Sequence, residues 1–552
     1  MADSQNLTTV LVVGAGLSGL VAALTLLKNG ISVRIVEKTP EFRRGQRGAG
    51  IAPRTLDLYH FLEVPKIEKH ATLLPLVRTY HPGGVDPLQT LPMSPVSDPT
   101  PSCPYINYLV LGQDLAEGHL REQLEALGCF IELGTELLSF EQYPTYVAAR
   151  VAKTSGAITV EEVINANWVI GADGARGVVR KHIGVTFLGE TRNEDSMLVG
   201  DFRINGLDNQ HWHMWGTMST KFVALRATPD MGKDGFVLFA NARGMDTKKL
   251  STDHNALKEF LFSVIERKDL TIEEVYWVSE FRPNIRMANK FGEKRVFIVG
   301  DAAHVHSPTG GQGANSSTQD AVNLGWKLAL VIKGLSHPSL LDTYTEERVP
   351  VIAEMLKLTT ELLDKAVEAD RATTGESFER GQEYFMLGVN YRGSRIVVDE
   401  FTSQTDNKSP YGHLSSGSLQ AGDRAPDSPG LEIQVGSRSE LIRLFDVFRP
   451  WYHTVIIFTD NSTHAQSIVS ALKRYPSDIV SPTIVYPRGW SRGHETEIAA
   501  ALQVIDGEGH AYQGYNVVME RTKIVVVRPD GVVGALVRSV DGLERYFGQI
   551  FV

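Results

Sequence analysis

Gly14-Ala15-Gly16-Leu17-Ser18-Gly19 spaces three glycines as GxGxxG, after the apolar run Val10 to Val13 and before residues that keep a helical period. Gly14 permits a tight turn, Gly16 lets a pyrophosphate approach the backbone, and Gly19 lets the following helix pack closely on the strand. The helix start at Leu17 and Ser18 then offers free N–H groups and the positive end of a dipole to phosphate oxygens. Glu37, with Lys38 after it, lies about 20 residues on, where a carboxylate accepts hydrogen bonds from ribose hydroxyls and disfavours a 2′-phosphate. This is the chemistry of dinucleotide binding.

Two further turns narrow the dinucleotide. Gly171-Ala172-Asp173-Gly174-Ala175-Arg176 follows the apolar run Trp168 to Ile170. Gly300-Asp301-Ala302-Ala303-His304 follows Val296 to Val299 and leads into Pro308-Thr309-Gly310-Gly311-Gln312-Gly313. A carboxylate at Asp301 suits polyol hydroxyls such as those of a ribityl chain. The glycines admit a flat ring close to the backbone, and a helix starting near Asn315 directs its N-terminus at negative charge on a reduced flavin. Singly, each is an ordinary strand-to-helix turn; in this order they describe a site for FAD.

Buried strands that each end in a Gly/Asp turn predict one doubly wound α/β sheet with ligand groups at the carboxyl ends of its strands. Between about 190 and 282 the pattern becomes short apolar/polar alternation with aromatics, as in His211-Trp212-His213-Met214-Trp215, which predicts a mostly antiparallel sheet. The expected domains are residues 1–189 with 283–345 for FAD, and 190–282 with parts of 60–110 for substrate. A helical segment at 346–402, a polar linker at 403–420 and a last unit at 421–552 complete them. The 552 residues carry 42% hydrophobic and 22% charged residues and a net charge of −10, without long runs of one sign. That balance argues against nucleic-acid binding and a basic membrane patch. Cys103 and Cys129 are the only cysteines and make no CxxC. A cytoplasmic protein without metal or integral membrane association is expected.

These motifs resemble the FAD-dependent aromatic hydroxylases, the single-component flavin monooxygenases that include p-hydroxybenzoate and phenol hydroxylases. The likeness covers about residues 8 to 350 well, and the last unit loosely resembles the thioredoxin-like C-terminal domain of the longer members. It implies a glutathione-reductase-type FAD sheet with an inserted substrate sheet, non-covalent FAD, and NADPH or NADH as co-substrate. It implies O2 and a small aromatic substrate hydroxylated through a flavin C4a-hydroperoxide. Asp173 would serve FAD and the nicotinamide cofactor, and Asp301 the ribityl chain. Pro308, Gly311, Gly313, Ala314 and Asn315 would lie along the isoalloxazine ring. Arg47 resembles the arginine near the pyrophosphate, and Gln113, with Glu117 after it, the glutamine near the flavin.

The chain departs from the family pattern in three places. Ala314-Asn315-Ser316-Ser317 stands where a bulky residue and Asn-Thr-Gly are usual, Ala49 stands where phenol hydroxylases carry an aspartate, and the last unit has no cysteine. The base that assists phenol deprotonation is therefore open. His213 is the candidate, on the expectation that the 211–216 strand roofs the active site; a packed, hydrogen-bonded histidine is the competing reading. His304 and His306 read as structural, and Arg226 and Tyr108 as ordinary sheet residues. Alternatives are decarboxylative hydroxylation of a hydroxybenzoate, a flavin dehydrogenase or oxidase without oxygen insertion, and a non-catalytic flavin sensor. The last unit is expected to serve structure or homodimer contacts, so that deleting it affects solubility or assembly before flavin reduction.

Overall fold

The computed structural model describes all residues except 1–6, 193, 195, 229–230, 370–375, 377, 403–408, 413–417, 436–437, 491–497, 499 and 519–520. The linker reading at 403–420 thus falls largely outside the described residues.

Strand β1 (Thr8–Val13), helix α1 (Leu17–Lys28) and strand β2 (Val33–Val36) form the first crossover, with Val10 opposite Val33 in parallel register. On the other side of β1 lies β3 (Ile158–Gly171), and beyond it β4 (Val296–Ile298), both parallel, with Val10 opposite Trp168 and Val169 opposite Val296. The four strands are buried on both faces where they pair, which is why they read as continuous apolar runs rather than alternations. Because all four point the same way, their carboxyl ends carry Gly14, Glu37, Ala172 and Gly300 to one edge of the sheet. β3 has two lives. Its first half pairs antiparallel with Val147–Ser155 and is exposed, and its second half, from Ile164, enters the core.

Helix α2 (Gly313–Ile332) packs on α1 so closely that a Cβ on Gly325 would stand 2.6 Å from Thr25 Cγ2. Its neighbour α3 (Asp342–Glu368) carries the helical pattern to Glu368. Within the segment expected to be helical, Val398–Asp399 pairs in parallel with Ala535 and Leu536 of the C-terminal sheet. Backbone pairing with a distant strand overrides the local reading here.

The second sheet has seven strands, in the order Thr271–Phe281, Met197–Asn205, Gly235–Ala242, Lys221–Ala227, His211–Gly216, Leu76–Tyr80 and Gln89–Leu91. It is antiparallel except where His211–Gly216 runs parallel to Leu76–Tyr80. Helix His254–Ile265 covers its outer face with Leu257, Leu261 and Val264, and its inner face turns toward the edge of the first sheet.

The C-terminal unit is an eight-stranded mixed sheet centred on His453–Phe458 and Lys523–Val527. It joins the rest through buried charge. Arg528 pairs with Glu347 and Asp530, Lys327 also reaches Glu347, and Arg424 pairs with Asp57 beside Arg54. Among the described residues no helix is long and apolar enough to cross a membrane.

Candidate active site

A cavity of about 970 Å³ opens at the carboxyl ends of β1 to β4 and runs under the inner face of the second sheet. Gly14, Gly16, Leu17, Ser18, Glu37, Lys38, Arg47, Gln113, Asp173 and Asp301 line its sheet-edge part. Pro308, Gly311, Gly313 and Ala314 line its floor.

Gly14 sits at φ +104, and a Cβ there would stand 2.3 Å from the Ala172 carbonyl, so the turn demands glycine. A Cβ on Gly16 would meet nothing within 4 Å, leaving open space over the helix start. Gly19 does not line the cavity. A Cβ there would be 2.1 Å from the Gly14 carbonyl oxygen, so its role is close packing of helix on turn. Asn315 is likewise off the wall. Its amide accepts from Ala52 N–H at 2.8 Å and donates to the Gly50 and Gly311 carbonyls at 3.0 and 2.7 Å, which ties two backbone segments together.

Glu37 is buried, and its carboxylate accepts from the Ala15 N–H at 2.9 Å and from the N–H and hydroxyl of Thr39 at 3.0 and 2.9 Å. Burial pushes its carboxyl up, but these bonds and the nearby Arg43 outweigh it and hold the group below its ordinary range. Glu37 Oε2 has one of these donors, which leaves it room to accept another. Asp173 accepts from the Val179 N–H at 2.9 Å through Oδ2, while Oδ1 is buried without a partner. Burial raises its carboxyl despite that bond. Gln113 donates to Glu117 at 2.8 Å, and Glu117 accepts from the Leu17 N–H at 3.1 Å, so the pair steadies the start of α1. The Arg47 guanidinium lies 5.5 Å from the Trp277 ring centroid.

The open space at Gly16, the exposed Asp301 carboxylate and the orphaned Asp173 oxygen suit a ligand bearing phosphates and hydroxyls. Beyond the glycine floor the wall changes character. Met197, Val199, Met214, Met218, Phe222 and Phe239 make it apolar, with Arg226 and Arg380 as cationic groups on it.

Strand parity decides the fate of His213. Trp212 and Met214 point into the cavity, and His213 points the other way, packed against Tyr80 and Trp215. Tyr80 Oη is 2.9 Å from His213 Nδ1, and the Asp208 carbonyl is 2.8 Å from Nε2. His213 therefore cannot act on a ligand in the cavity; the expectation that it is the base is corrected. Arg226, read as an ordinary sheet residue, is on the wall, and its guanidinium donates to Gln46 Oε1 at 2.8 Å. Tyr108 lies behind the floor, where it accepts from Gln312 Nε2 at 2.7 Å. His306 lines the cavity beside Gly313, whereas His304 is fully buried against Asp320 at 2.6 Å.

Sequence reasoning missed the support behind the Gly300-Asp301 turn. Asp320 accepts from His304, from the Gly300 N–H at 3.2 Å and from Arg348 Nε at 2.7 Å. The signal was an acid on the buried face of the helix between Ala321 and Asn315, a position that needs a cation.

Comparison with known proteins agrees with this geometry. Residues 7–359 match the FAD binding domain family, and residues 480–552 match the phenol hydroxylase C-terminal dimerisation domain. A flavin-dependent monooxygenase of Mycobacteroides abscessus is 35% identical over 82% of this chain and 88% of its own. Pentachlorophenol 4-monooxygenase of Sphingobium chlorophenolicum is 29% identical over 89% of this chain and 87% of its own. The solved structure of aklavinone-11 hydroxylase with FAD and aklavinone superposes with a TM-score of 0.79 at 24% identity, covering both chains in full. The fold, the cofactor-shaped edge and these relatives lead to one conclusion: the chain belongs to the FAD-dependent aromatic monooxygenases.

Proposed function

We propose that the protein hydroxylates a phenolic substrate at the expense of NADPH or NADH and O2. The observation that carries this reading is the continuity of one cavity from the phosphate-suited turns to an apolar wall holding two arginines. Gly14, Gly16, Leu17 and Ser18 would hold the FAD pyrophosphate, with Arg47 nearby, and Glu37 and Lys38 the adenosine end. Asp301 would hold the ribityl chain, Gln113 the flavin edge, and Pro308 to Ala314 the ring face. When bound and reduced by the nicotinamide cofactor, FAD supplies the activation of O2 that puts one oxygen atom on the ring.

The chain's own residues do the rest. The methionine and phenylalanine wall excludes water and holds the aromatic face of the substrate. Arg226, a cation on that wall, favours the phenolate over the phenol, and so lowers the cost of losing the hydroxyl proton near neutral pH. Asp173, with one free oxygen at the cavity margin, would meet the nicotinamide cofactor. We further read the C-terminal sheet as thioredoxin-like, without redox chemistry because it has no cysteine, and as the contact between two copies of a cytoplasmic dimer.

The test is consumption of NADPH and O2 over a panel of phenols, with products read by mass spectrometry. A product heavier by one oxygen, in step with NADPH used, is expected. NADPH oxidation that yields only peroxide with every phenol, or no oxidation at all, would remove hydroxylation as the activity.

A further inference from the structure

Gln312 sits in the glycine floor of the cavity, yet its side chain turns away from the cavity and is completely buried. There it enters a cage of tyrosines. Its Nε2 donates toward Tyr108 Oη at 2.7 Å and the Gly310 and Tyr384 carbonyls at 2.9 Å each. Its Oε1 accepts from Tyr411 Oη at 2.6 Å. Tyr108 and Tyr384 belong to the surroundings of the floor. Tyr411 does not: it comes from the connector that leads to the C-terminal unit. That short piece is itself pinned, since the Asn390 N–H donates to the Pro410 carbonyl and the Gly412 N–H to the Gly388 carbonyl, both at 3.0 Å. From Tyr391 the same stretch continues to the Gly422 carbonyl at 2.8 Å, and so to the C-terminal sheet.

We infer that Tyr411 is a positioning residue for the flavin, acting through Gln312 on the Gly310-Gly311 backbone. The inference rests on the proposed placement of FAD along Pro308 to Ala314. Gly310 and Gly311 both have left-handed backbones, at φ 80 and 64, a conformation with little intrinsic preference to keep. The bond from Gln312 Nε2 holds the Gly310 carbonyl, as Asn315 Nδ2 holds that of Gly311. The first bond depends on the position of the Gln312 amide, which the Gly310 and Tyr384 carbonyls hold on its nitrogen side and the Tyr411 hydroxyl holds on its oxygen side. Tyr108 Oη donates to the Tyr384 carbonyl, so it is not free to replace Tyr411 as donor. Removing the Tyr411 hydroxyl leaves Gln312 Oε1 buried without that donor and loosens the amide that holds the Gly310 carbonyl under the ring, while the aromatic ring still fills its space.

The experiment compares the full-length holoprotein with Tyr411→Phe, and with Tyr546→Phe, whose buried hydroxyl has no partner, as a control. Bound FAD is read by its visible circular dichroism, by its fluorescence and by its Kd. With a turned-over phenol, the fraction of NADPH that ends in peroxide is read as well. In Tyr411→Phe the visible dichroism of FAD changes, its Kd rises about 5-fold, as loss of one hydrogen bond implies, and the peroxide fraction increases. Tyr546→Phe matches wild type in all of these. An unaltered flavin signal in Tyr411→Phe overturns the inference, even if the melting temperature falls, because the hydroxyl then serves stability alone. A Tyr411→Phe chain that does not fold overturns it for the same reason. Wild-type protein that takes up no FAD would instead defeat the cofactor placement on which the inference rests.

Discussion

Glu347 and Arg528 lie 181 residues apart in the chain and meet with no solvent exposure, joined by hydrogen bonds of 2.8 and 2.9 Å. Helix α3 beside the flavin sheet is thereby fastened to the C-terminal sheet by paired buried charge. This changes what removal of the C-terminal unit should do.

Truncation at residue 421 strips Glu347, Asn323 and Asp57 of their Arg528, Asp530 and Arg424 partners. Breaking one buried pair costs about 3–5 kcal/mol. The truncated chain is therefore expected to be lost from the soluble fraction rather than to persist as an active monomer. Arg528→Met should lower unfolding free energy in denaturant by a similar amount. A truncated protein that stays folded and reduces FAD at the wild-type rate would show that the charge cluster is dispensable.

His213 should govern acid stability rather than catalysis. Burial lowers its pKa from the ordinary 6.5 to about 4, against the raising influence of Asp208. The unfolded chain thus binds a proton that the folded chain refuses. Stability is complete above about 6.5 and falls as pH drops from there toward about 4, by roughly 3 kcal/mol for this group. In His213→Gln the loss of stability between pH 7 and 5 should shrink, with hydroxylation per folded enzyme unchanged. Loss of turnover at full folding would restore a chemical role to this residue.

Asp301 lies exposed on the cavity wall. Replacing it with alanine removes a charged acceptor, worth about 1.5–3 kcal/mol, and should weaken FAD about 10- to 150-fold by equilibrium dialysis. Unchanged affinity would mean that the ribityl chain lies elsewhere.

Met214 projects from its strand into the apolar part of the cavity. Met214→Trp should narrow that part without touching the sheet-edge end proposed for FAD. We expect kcat/KM for multi-ring phenols to fall about 10-fold or more relative to a single-ring phenol, with FAD Kd unchanged. Equal losses for both substrates would place the aromatic ring away from this wall.

The sheet-edge end of the cavity was legible because its residues sit in short motifs. Gly14, Asp173 and Asp301 each follow an apolar strand, and parallel pairing brings them together without further information. The alternation at 211–216 was also legible, but its direction was not. Trp212 and Met214 are as apolar as Trp215, so composition alone could not say which face would meet a cavity and which would meet Tyr80. The charge cluster was invisible for a different reason. Asp57 and Arg424 are 367 residues apart, and nothing local marks either as half of a pair. Tyr411 was hidden inside a polar stretch that reads as a linker.

The same separations set an order of events during synthesis. A chain growing at about 5–20 residues per second needs on the order of 10–40 s to pass from Glu347 to Arg528, and longer still from Asp57 to Arg424. Until then Glu347 and Asp57 have only Lys327 and Arg54 beside them, without the arginines that complete their pairing. The buried charge network is completed only when the tail of the chain arrives.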